Sequence, residues 1–264
     1  MEEAARAAGE IIKAGTGRHG PARFKGPKDL VTEIDTAAEA AIARVLADAY
    51  PEFGFLGEET GRKAGASSFE WVVDPLDGTR NFVIGIPIFC VSIALVDGDR
   101  PVAGVILDPT HGEVFAAEAE GLLQVNGKAI TVRRPSRLAE TVVGYDLSRD
   151  SNKAVAMLEV LARIEPDVQS VRGLGSTALG LAYAACGRLD MYLSWGGTWD
   201  VAAGLALAKA SGARVLDRLG HAAGLTSGSY VVGGGDAIAE LLAATADLSF
   251  RDPAFLTRTR EKSG

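Results

Sequence analysis

Two aspartates lie close together in the stretch WVVDPLDGTRNF, residues Trp71–Phe82. Asp74 ends an apolar run, Pro75 follows it, and Asp77 comes three residues after Asp74. Because proline fixes one backbone dihedral and has no N–H to donate, we expect the strand to end here and both carboxylates to turn toward one point at the sheet edge. The backbone carbonyl of Leu76 is a candidate third oxygen. Oxygen ligands of this kind are those that hard divalent cations such as Mg²⁺ prefer.

The two residues after Asp77 are suited to an anion. Gly78 allows close backbone approach, and Thr79 begins a helical turn whose first N–H groups form a ready anion site. A metal beside an anion site makes a phosphate ester the natural ligand. The same residues are equally typical of an ordinary turn, so the motif alone leaves both interpretations open.

Further carboxylates favour the metal site. Glu58 and Glu59 follow another predicted strand in FLGEET, and Asp200 begins a predicted helix in WGGTWDVAAG. Taken singly, each is typical of a solvated charge or a helix cap. Four carboxylates nevertheless share a position at a strand end or helix start, where ligands from different elements meet at a cleft: Glu58, Asp74, Asp77 and Asp200.

The elements that must position these residues alternate between helix and strand along the chain. A first helix is predicted over Glu2 to Ala14, and a second begins after Thr32, a candidate N-cap with Asp35 three residues on. The apolar face predicted for the second helix is Ala37, Ala40, Ala41, Val45 and Leu46.

Five strands are predicted before residue 120, in EFGFLGEE, FEWVVD, FCVSIALVDG, PVAGVILD and EVFAAEA. Asn126-Gly127 predicts a hairpin. The remaining chain reads as further strand-and-helix units. We therefore predict an α/β protein of two halves, residues 1–137 and 138–264, that share a sheet-lined cleft in one compact catalytic unit.

Composition restricts the class of protein. The 264 residues include 27 Lys+Arg and 34 Asp+Glu, giving a net charge of −7, which argues against a nucleic-acid partner. Cys90 and Cys186 lie inside apolar runs and are interpreted as buried structural thiols. The first helix lacks the long apolar core of a signal peptide, and no apolar run could span a bilayer. We expect a cytoplasmic protein without a membrane partner.

At the motifs above, the chain resembles the inositol monophosphatase family, part of the lithium-sensitive, Mg²⁺-dependent phosphatase superfamily that includes fructose-1,6-bisphosphatase. Five segments carry the resemblance, in the family's order: KDLVTEID from Lys28, GEE from Gly57, WVVDPLDGTRNF from Trp71, GSTAL from Gly175 and WDVAAGLALAKASGARV from Trp199. The resemblance implies a five-layer αβαβα sandwich, a homodimer, and hydrolysis of a small phosphate ester by a metal-activated water.

The resemblance also implies a role for each metal ligand. Glu58 and the carbonyl of Leu76 would bind a first Mg²⁺, and Asp74 would bridge two ions. Asp77 and Asp200 would complete the second site. A third, weaker ion would bind through Glu58 and waters, and Mn²⁺ could replace Mg²⁺.

Catalytic and phosphate-binding roles are implied for the neighbouring residues. Thr79, with Glu58 or Asp35 near it, would orient or help deprotonate the attacking water. The backbone N–H groups of Gly78 and Thr79 would hold the phosphate. Asp35 in the first turn of a helix favours the helix dipole in any case.

The loop FKGPKD precedes this helix and carries Lys25 and Lys28. It is a candidate for closing over the phosphate. An ordinary solvated loop is an equally good interpretation of the same residues.

Substrate choice is expected to depend on the second half. Gly175, Ser176 and Thr177 match the family's substrate-contacting loop, although a helix N-cap after a glycine turn explains them equally well. In inositol-specific members a glutamate lies seven residues before the Trp-Asp aspartate and grips sugar hydroxyls. Leu193 stands there in this chain, and losing such a contact costs about 1–3 kcal/mol. Arg172 is a candidate for meeting a second phosphate, or forms a surface salt bridge.

The leading hypothesis is a Mg²⁺-dependent phosphomonoesterase acting on a small polyol or sugar phosphate, such as inositol 1-phosphate. Phosphatases for fructose 1,6-bisphosphate, histidinol phosphate, NADP(H) and 3′-phosphoadenosine phosphates stay open as alternatives. The alternative of another class is a regulatory binding module that acts with the transcription machinery.

Overall fold

Two β-sheets alternate with three layers of helices in this protein. A computed structural model describes residues 1–18, 20–26, 29–118 and 120–255. The α-helices are α1 (Glu2–Gly15), α2 (Glu33–Ala49), α3 (Thr79–Ile84), α4 (Ser151–Ile164), α5 (Thr177–Cys186), α6 (Thr198–Ala210) and α7 (Gly235–Ala244). The strands before residue 120 are β1 (Arg23–Gly26), β2 (Asp29–Val31), β3 (Gly54–Gly57), β4 (Gly61–Lys63), β5 (Phe69–Asp77), β6 (Cys90–Asp97), β7 (Arg100–Asp108) and β8 (Glu113–Glu118). Those after it are β9 (Gln124–Val125), β10 (Lys128–Ala129), β11 (Val142–Tyr145), β12 (Ser170–Gly173), β13 (Met191–Ser194), β14 (Arg214–Leu216) and β15 (Tyr230–Gly233).

The larger sheet has eight strands in the order β10-β9-β8-β7-β6-β5-β3-β4 and is antiparallel except between β3 and β5. The smaller sheet has five strands in the order β12-β11-β13-β15-β14. In that sheet β11 runs parallel to both β12 and β13. β1 and β2 form a separate antiparallel pair.

Three apolar cores lie between these layers of helices and sheets. α1 and α2 pack on one face of the larger sheet, and α5 and α6 lie between its other face and the smaller sheet. α4 and α7 cover the outer face of the smaller sheet. α6 is buried along Val201–Ala208 because both of its sides face a sheet. The predicted α/β class, in its five-layer αβαβα form, is confirmed.

The buried face of α2 differs from the prediction. Ala37 and Ala40 are exposed. The apolar residues that α2 buries are Ala38, Ala41, Ile42 and Leu46. The face is displaced because α2 also buries two carboxylates one turn apart, Asp35 and Glu39, which apolar periodicity does not detect. The predicted N-cap is confirmed, since the Thr32 side chain accepts a hydrogen bond from the Ile34 N–H.

The strand expected to end at Asp74 instead continues through Pro75 to Asp77. Asp74 pairs with Ser92 on β6 and Asp77 with Cys90. Between these two pairs β5 therefore advances three residues while β6 advances two. The extra residue on β5 makes a β-bulge. Bulges leave a residue unpaired and redirect the side chains around it, so the missing N–H of Pro75 is tolerated within the strand.

None of the helices in the described ranges is both long and apolar enough to cross a bilayer. The division of the chain at residues 137 and 138 stays a prediction.

Candidate active site

The bulge in β5 places Asp74 and Asp77 on the same face of the larger sheet. Side chains alternate along a regular strand, so residues three apart would point to opposite faces. Here the partners Ser92 and Cys90 are two apart on β6 and share a face, and the two aspartates opposite them do so as well. That face is covered by α5 and α6.

Asp200 joins them from the first turn of α6. Its Oδ2 accepts a hydrogen bond of 2.6 Å from the Gly197 N–H, which fixes the carboxylate at the helix start. Carboxylate oxygens of Asp74, Asp77 and Asp200 all lie within 4.8 Å of one another. Three elements distant in sequence thus bring three carboxylates together.

Burial and mutual repulsion act on this trio. Burial, followed by the negative charge of Asp200, raises the pKa of Asp77 to about 8. Burial also raises the pKa of Asp200 to about 6 and that of Asp74 well above its usual range. Carboxylates in such surroundings favour a positive charge between them, and their all-oxygen donor set suits a hard divalent cation.

Asp77 is held from the start of α5. Its Oδ2 accepts hydrogen bonds from the Ser176 hydroxyl at 2.6 Å and from the Ala178 N–H at 2.7 Å. The Cys90 thiol lies 3.9 Å from the same oxygen. All three contacts engage one oxygen, which leaves Oδ1 available for a cation.

Glu58 lies beside Asp74, outside the group of three. Its backbone N–H donates to the Val73 carbonyl at 3.1 Å, and its carboxyl contributes to the raised pKa of Asp74. The next two N–H groups, of Glu59 and Thr60, donate to opposite oxygens of Glu39 at 2.9 Å each.

Sequence reasoning missed Glu39, which is 1% exposed. Its only signal in the sequence is its spacing from Asp35, four residues earlier and one helical turn away.

Thr79 faces two acceptors. Its hydroxyl lies 3.0 Å from Asp35 Oδ1 and 3.0 Å from the Leu76 carbonyl oxygen. The other oxygen of Asp35 accepts from the N–H and hydroxyl of Thr32. Burial raises the pKa of Asp35, against the lowering effect of these hydrogen bonds. Gly78 precedes Thr79 with a φ of 90°, and a Cβ there would lie 2.9 Å from the Ile88 carbonyl oxygen, so both its conformation and its space require glycine.

These residues border a cavity of about 660 Å³. The predicted site residues that line it are Asp77, Gly78, Thr79, Gly175, Thr177 and Asp200. Its other walls include Tyr145, Asp146, Ser148, Arg149, Trp195 and Arg80. Asp146 is a carboxylate that sequence reasoning passed over, although it directly follows the apolar strand β11.

Some predicted substrate contacts lie elsewhere. Leu193 is 0% exposed in the core between the smaller sheet and α4 and α7, and it is not among the described residues that line the cavity. The residue predicted to meet the substrate is thus packed in this core, because its side chain points to the opposite face of β13 from Tyr192. The buried hydroxyl of Ser176 donates to Asp77. Arg172 is exposed and donates to the Val171 carbonyl. It is not among the described residues that line the cavity. Lys28 and the side chain of Lys25 lie outside the described residues.

Comparisons with known proteins give one consistent result. The sequence model of the inositol monophosphatase family matches residues 1–249. A protein named inositol monophosphatase 2, from Solanum lycopersicum, is 41% identical over 235 residues, covering 85% of this chain and 88% of the relative. The Nus factor SuhB of Xylella fastidiosa is 38% identical over 221 residues, 82% of this chain and 80% of its own.

Solved structures agree with the sequence matches. The extragenic suppressor protein suhB of Bartonella henselae superposes with a TM-score of 0.87 at 33% identity, covering 94% of this chain and 97% of the other. An IMPase of Thermotoga maritima gives a TM-score of 0.85 at 30% identity, over 99% and 97% of the two chains.

Proposed function

Because this chain belongs to the inositol monophosphatase family and is a phosphoric monoester hydrolase, we propose that it hydrolyses a small polyol or sugar phosphate, of the inositol 1-phosphate kind, with Mg²⁺ as its metal. The observation that carries the proposal is the trio of carboxylates, two buried and one half-buried, whose oxygens lie within 4.8 Å of one another beside the cavity. Three such groups repel one another when they are ionised, and cations between them would relieve that repulsion.

The donor set fits Mg²⁺, with Mn²⁺ as a substitute, since both accept carboxylate and carbonyl oxygens. Asp74, on which the charges of both Glu58 and Asp77 act, would contribute to both ion sites, as the family resemblance implies. Glu58 and the Leu76 carbonyl would complete the first site, and Asp77 and Asp200 the second. A third, weaker ion would use Glu58.

When bound, the ions would acidify the attacking water and neutralise charge on the phosphoryl oxygens. The chain's own residues would supply orientation. A Thr79 hydroxyl that donates to Asp35 keeps its lone pairs free to accept a hydrogen bond from the water. The N–H groups of Gly78 and Thr79 would hold the phosphate, and Gly175 and Thr177 would face the alcohol. Phosphoryl transfer asks mainly for this positioning and charge neutralisation.

The alcohol end of the cavity lacks the glutamate that grips inositol, and Leu193 is buried away from it. We therefore treat inositol 1-phosphate as one member of a substrate panel. Although several relatives are named Nus factors, no observation favours a transcription-associated role over hydrolysis. The homodimer, the cytoplasmic location and lithium sensitivity stay predictions.

The test is phosphate release from a panel of inositol 1-phosphate, fructose 1,6-bisphosphate, histidinol phosphate, NADP⁺ and 3′-phosphoadenosine 5′-phosphate with Mg²⁺. We expect turnover of at least one, and a loss of about 10²-fold or more in kcat for Asp77→Asn, which removes a ligand charge. Asp97→Asn, at the half-exposed end of β6, is the matched control and should behave as the unaltered protein. Absence of turnover on every substrate, or an Asp77→Asn variant with full activity, would contradict the proposal.

A further inference from the structure

The Asp146 carboxylate lies at the end of β11, where that strand reaches the cavity. Its backbone N–H donates to the Leu193 carbonyl at 3.1 Å, so it extends the pairing of β11 with β13. The side chain lines the cavity but turns toward the loop before α5.

Three donors converge on this carboxylate. The Gly175 N–H donates to Oδ1. Oδ2 accepts from the Thr177 hydroxyl at 3.2 Å and from the Tyr192 hydroxyl. A carboxylate bound on both oxygens by one loop fixes the backbone of that loop, because each lost contact would leave a polar group unsatisfied.

Tyr192 reaches Asp146 through a slot made by two glycines. A Cβ on Gly144 would lie 2.7 Å from the Tyr192 ring, and one on Gly180 would lie 2.1 Å from it. Neither glycine has a backbone conformation that demands glycine. The close approach of the ring therefore explains Gly180, and the ring together with the Leu189 side chain, 2.4 Å from such a Cβ, explains Gly144. Tyr192 is itself 0% exposed.

The loop that Asp146 holds is the one that grips Asp77. Ser176 and Ala178 donate to Asp77 Oδ2, and the Asn81 amide donates to the Leu174 carbonyl at 2.8 Å. Hydrogen bonds thus connect Tyr192, in the smaller sheet, with Asp77 in the larger one. Asp77 has little freedom to rotate while this loop stays in place.

We infer that Asp146 and Tyr192 are positioning residues that hold the segment Leu174–Ala178 against Asp77, so that its second oxygen stays directed at the cation site. The inference rests on the proposed function, in which Asp77 binds a metal. Hydrogen-bonding partners behind metal ligands commonly change metal affinity by about 10–100-fold. An effect passed on through a loop belongs at the lower end of that range.

Tyr192→Phe is the principal test, because it keeps the ring in its slot and removes only the hydroxyl. Tyr230→Phe is the matched control. Tyr230 is a buried tyrosine on the neighbouring strand β15, and its hydroxyl donates to the Gly224 and Leu225 carbonyls. Mg²⁺ binding is measured by calorimetry on the purified protein, together with the Mg²⁺ concentration for half-maximal activity and the KM of a substrate.

We expect Tyr192→Phe to weaken Mg²⁺ binding by about tenfold, with the KM at saturating Mg²⁺ changed by less than about twofold. Tyr230→Phe should bind Mg²⁺ as the unaltered protein does. A Tyr192→Phe protein that loses thermal stability like Tyr230→Phe, yet titrates normally with Mg²⁺, would overturn the inference.

A double-mutant cycle tests the route through the loop. Ser176→Ala removes one of the two hydrogen bonds to Asp77 Oδ2. If Tyr192 acts through that loop, the losses of Mg²⁺ affinity from Tyr192→Phe and Ser176→Ala should be non-additive. Strict additivity would contradict this route.

Asp146→Asn should weaken Mg²⁺ binding more than Tyr192→Phe, since its amide nitrogen must face one of the three donors.

Failure of the proposed function is recognised separately. It would show as an unaltered protein that hydrolyses no substrate, whereas the calorimetric comparison of Tyr192→Phe with Tyr230→Phe does not depend on turnover.

Discussion

Thr79 illustrates how the neighbours of one side chain orient it for its proposed role. Its hydroxyl has a single proton and two acceptors at equal distance, Asp35 Oδ1 and the Leu76 carbonyl. Whichever one it donates to, its lone pairs face away from that partner. Thr79 would then be able to accept a hydrogen bond from the attacking water and orient it toward the phosphoryl group.

Thr79→Val should therefore lower kcat by about 10²-fold or more, because it keeps the shape of the side chain and removes the hydroxyl. Thr79→Ser retains the hydroxyl and should keep most of the activity. Steady-state kinetics at saturating Mg²⁺ make the comparison. A Thr79→Val enzyme with an unchanged kcat would remove Thr79 from the mechanism.

At the scale of elements, α2 serves the site with two carboxylates on one face. Asp35 binds the Thr79 hydroxyl, and Glu39 binds the N–H groups that follow Glu58. Gly57 makes room for Glu39, since a Cβ there would lie 2.4 Å from a Glu39 carboxylate oxygen. One helix thus sets the position of the turn between β3 and β4 and of the start of α3.

Glu39→Gln should destabilise the protein by about 1–3 kcal/mol, because the new amide nitrogen faces a backbone N–H that then lacks an acceptor. Displacing the turn after Glu58 should also raise the Mg²⁺ concentration needed for half-maximal activity. Urea denaturation and a Mg²⁺ titration test both effects. Asp48→Asn, at the exposed end of the same helix, is the control, and a Glu39→Gln protein matching it in both assays would contradict this role.

The burial of Leu193 in β13 leads to a prediction about substrate engineering. Leu193→Glu would place a carboxylate in the apolar core rather than in the cavity, and should destabilise the protein by several kcal/mol without adding activity on inositol 1-phosphate. Leu193→Met keeps the volume and should cost less than about 1.5 kcal/mol. Thermal melting and turnover on inositol 1-phosphate test the pair, and a stable, more active Leu193→Glu enzyme would contradict it.

Local patterns in the sequence predicted most of these elements, because periodicity and turn residues act over a few positions. The helices α1, α2 and α6 and the Asn126-Gly127 hairpin are found where expected. Several features were not predicted: the bulge at Pro75, the burial of Leu193, and the two carboxylates that hold loops, Glu39 and Asp146. Each depends on a partner more than ten residues away in sequence, such as β6 for the bulge and Tyr192 for Asp146.

At the scale of the whole molecule, the carboxylate trio ties stability to pH and to metal. Asp77 and Asp200 have pKa values of about 8 and about 6, above the ordinary 3.8. The folded, metal-free protein therefore holds protons that the unfolded chain releases as pH rises above about 4. This contribution to stability is fully present below the unfolded pKa and is lost as pH rises through about 6 and about 8.

We expect the melting temperature in EDTA to fall between about pH 5.5 and pH 8.5. Added Mg²⁺ should stabilise the protein most at the higher pH, because cation and protons compete for the same oxygens. Calorimetric melting with and without Mg²⁺ at each pH tests this, and Asp77→Asn should reduce the dependence. A melting temperature in EDTA that is independent of pH would contradict the prediction.

The bulge in β5 also bears on how this fold can lose its activity over evolutionary time. Inserting a single codon beside Val91 would give β6 the same three residue steps as β5 between these partners, so that the strands could pair regularly and Asp74 and Asp77 would turn to opposite faces of the sheet. The larger sheet and its helices require no such bulge. One in-frame insertion in β6, a strand that carries none of the three clustered carboxylates, would therefore separate a phosphatase from an inactive protein of the same architecture.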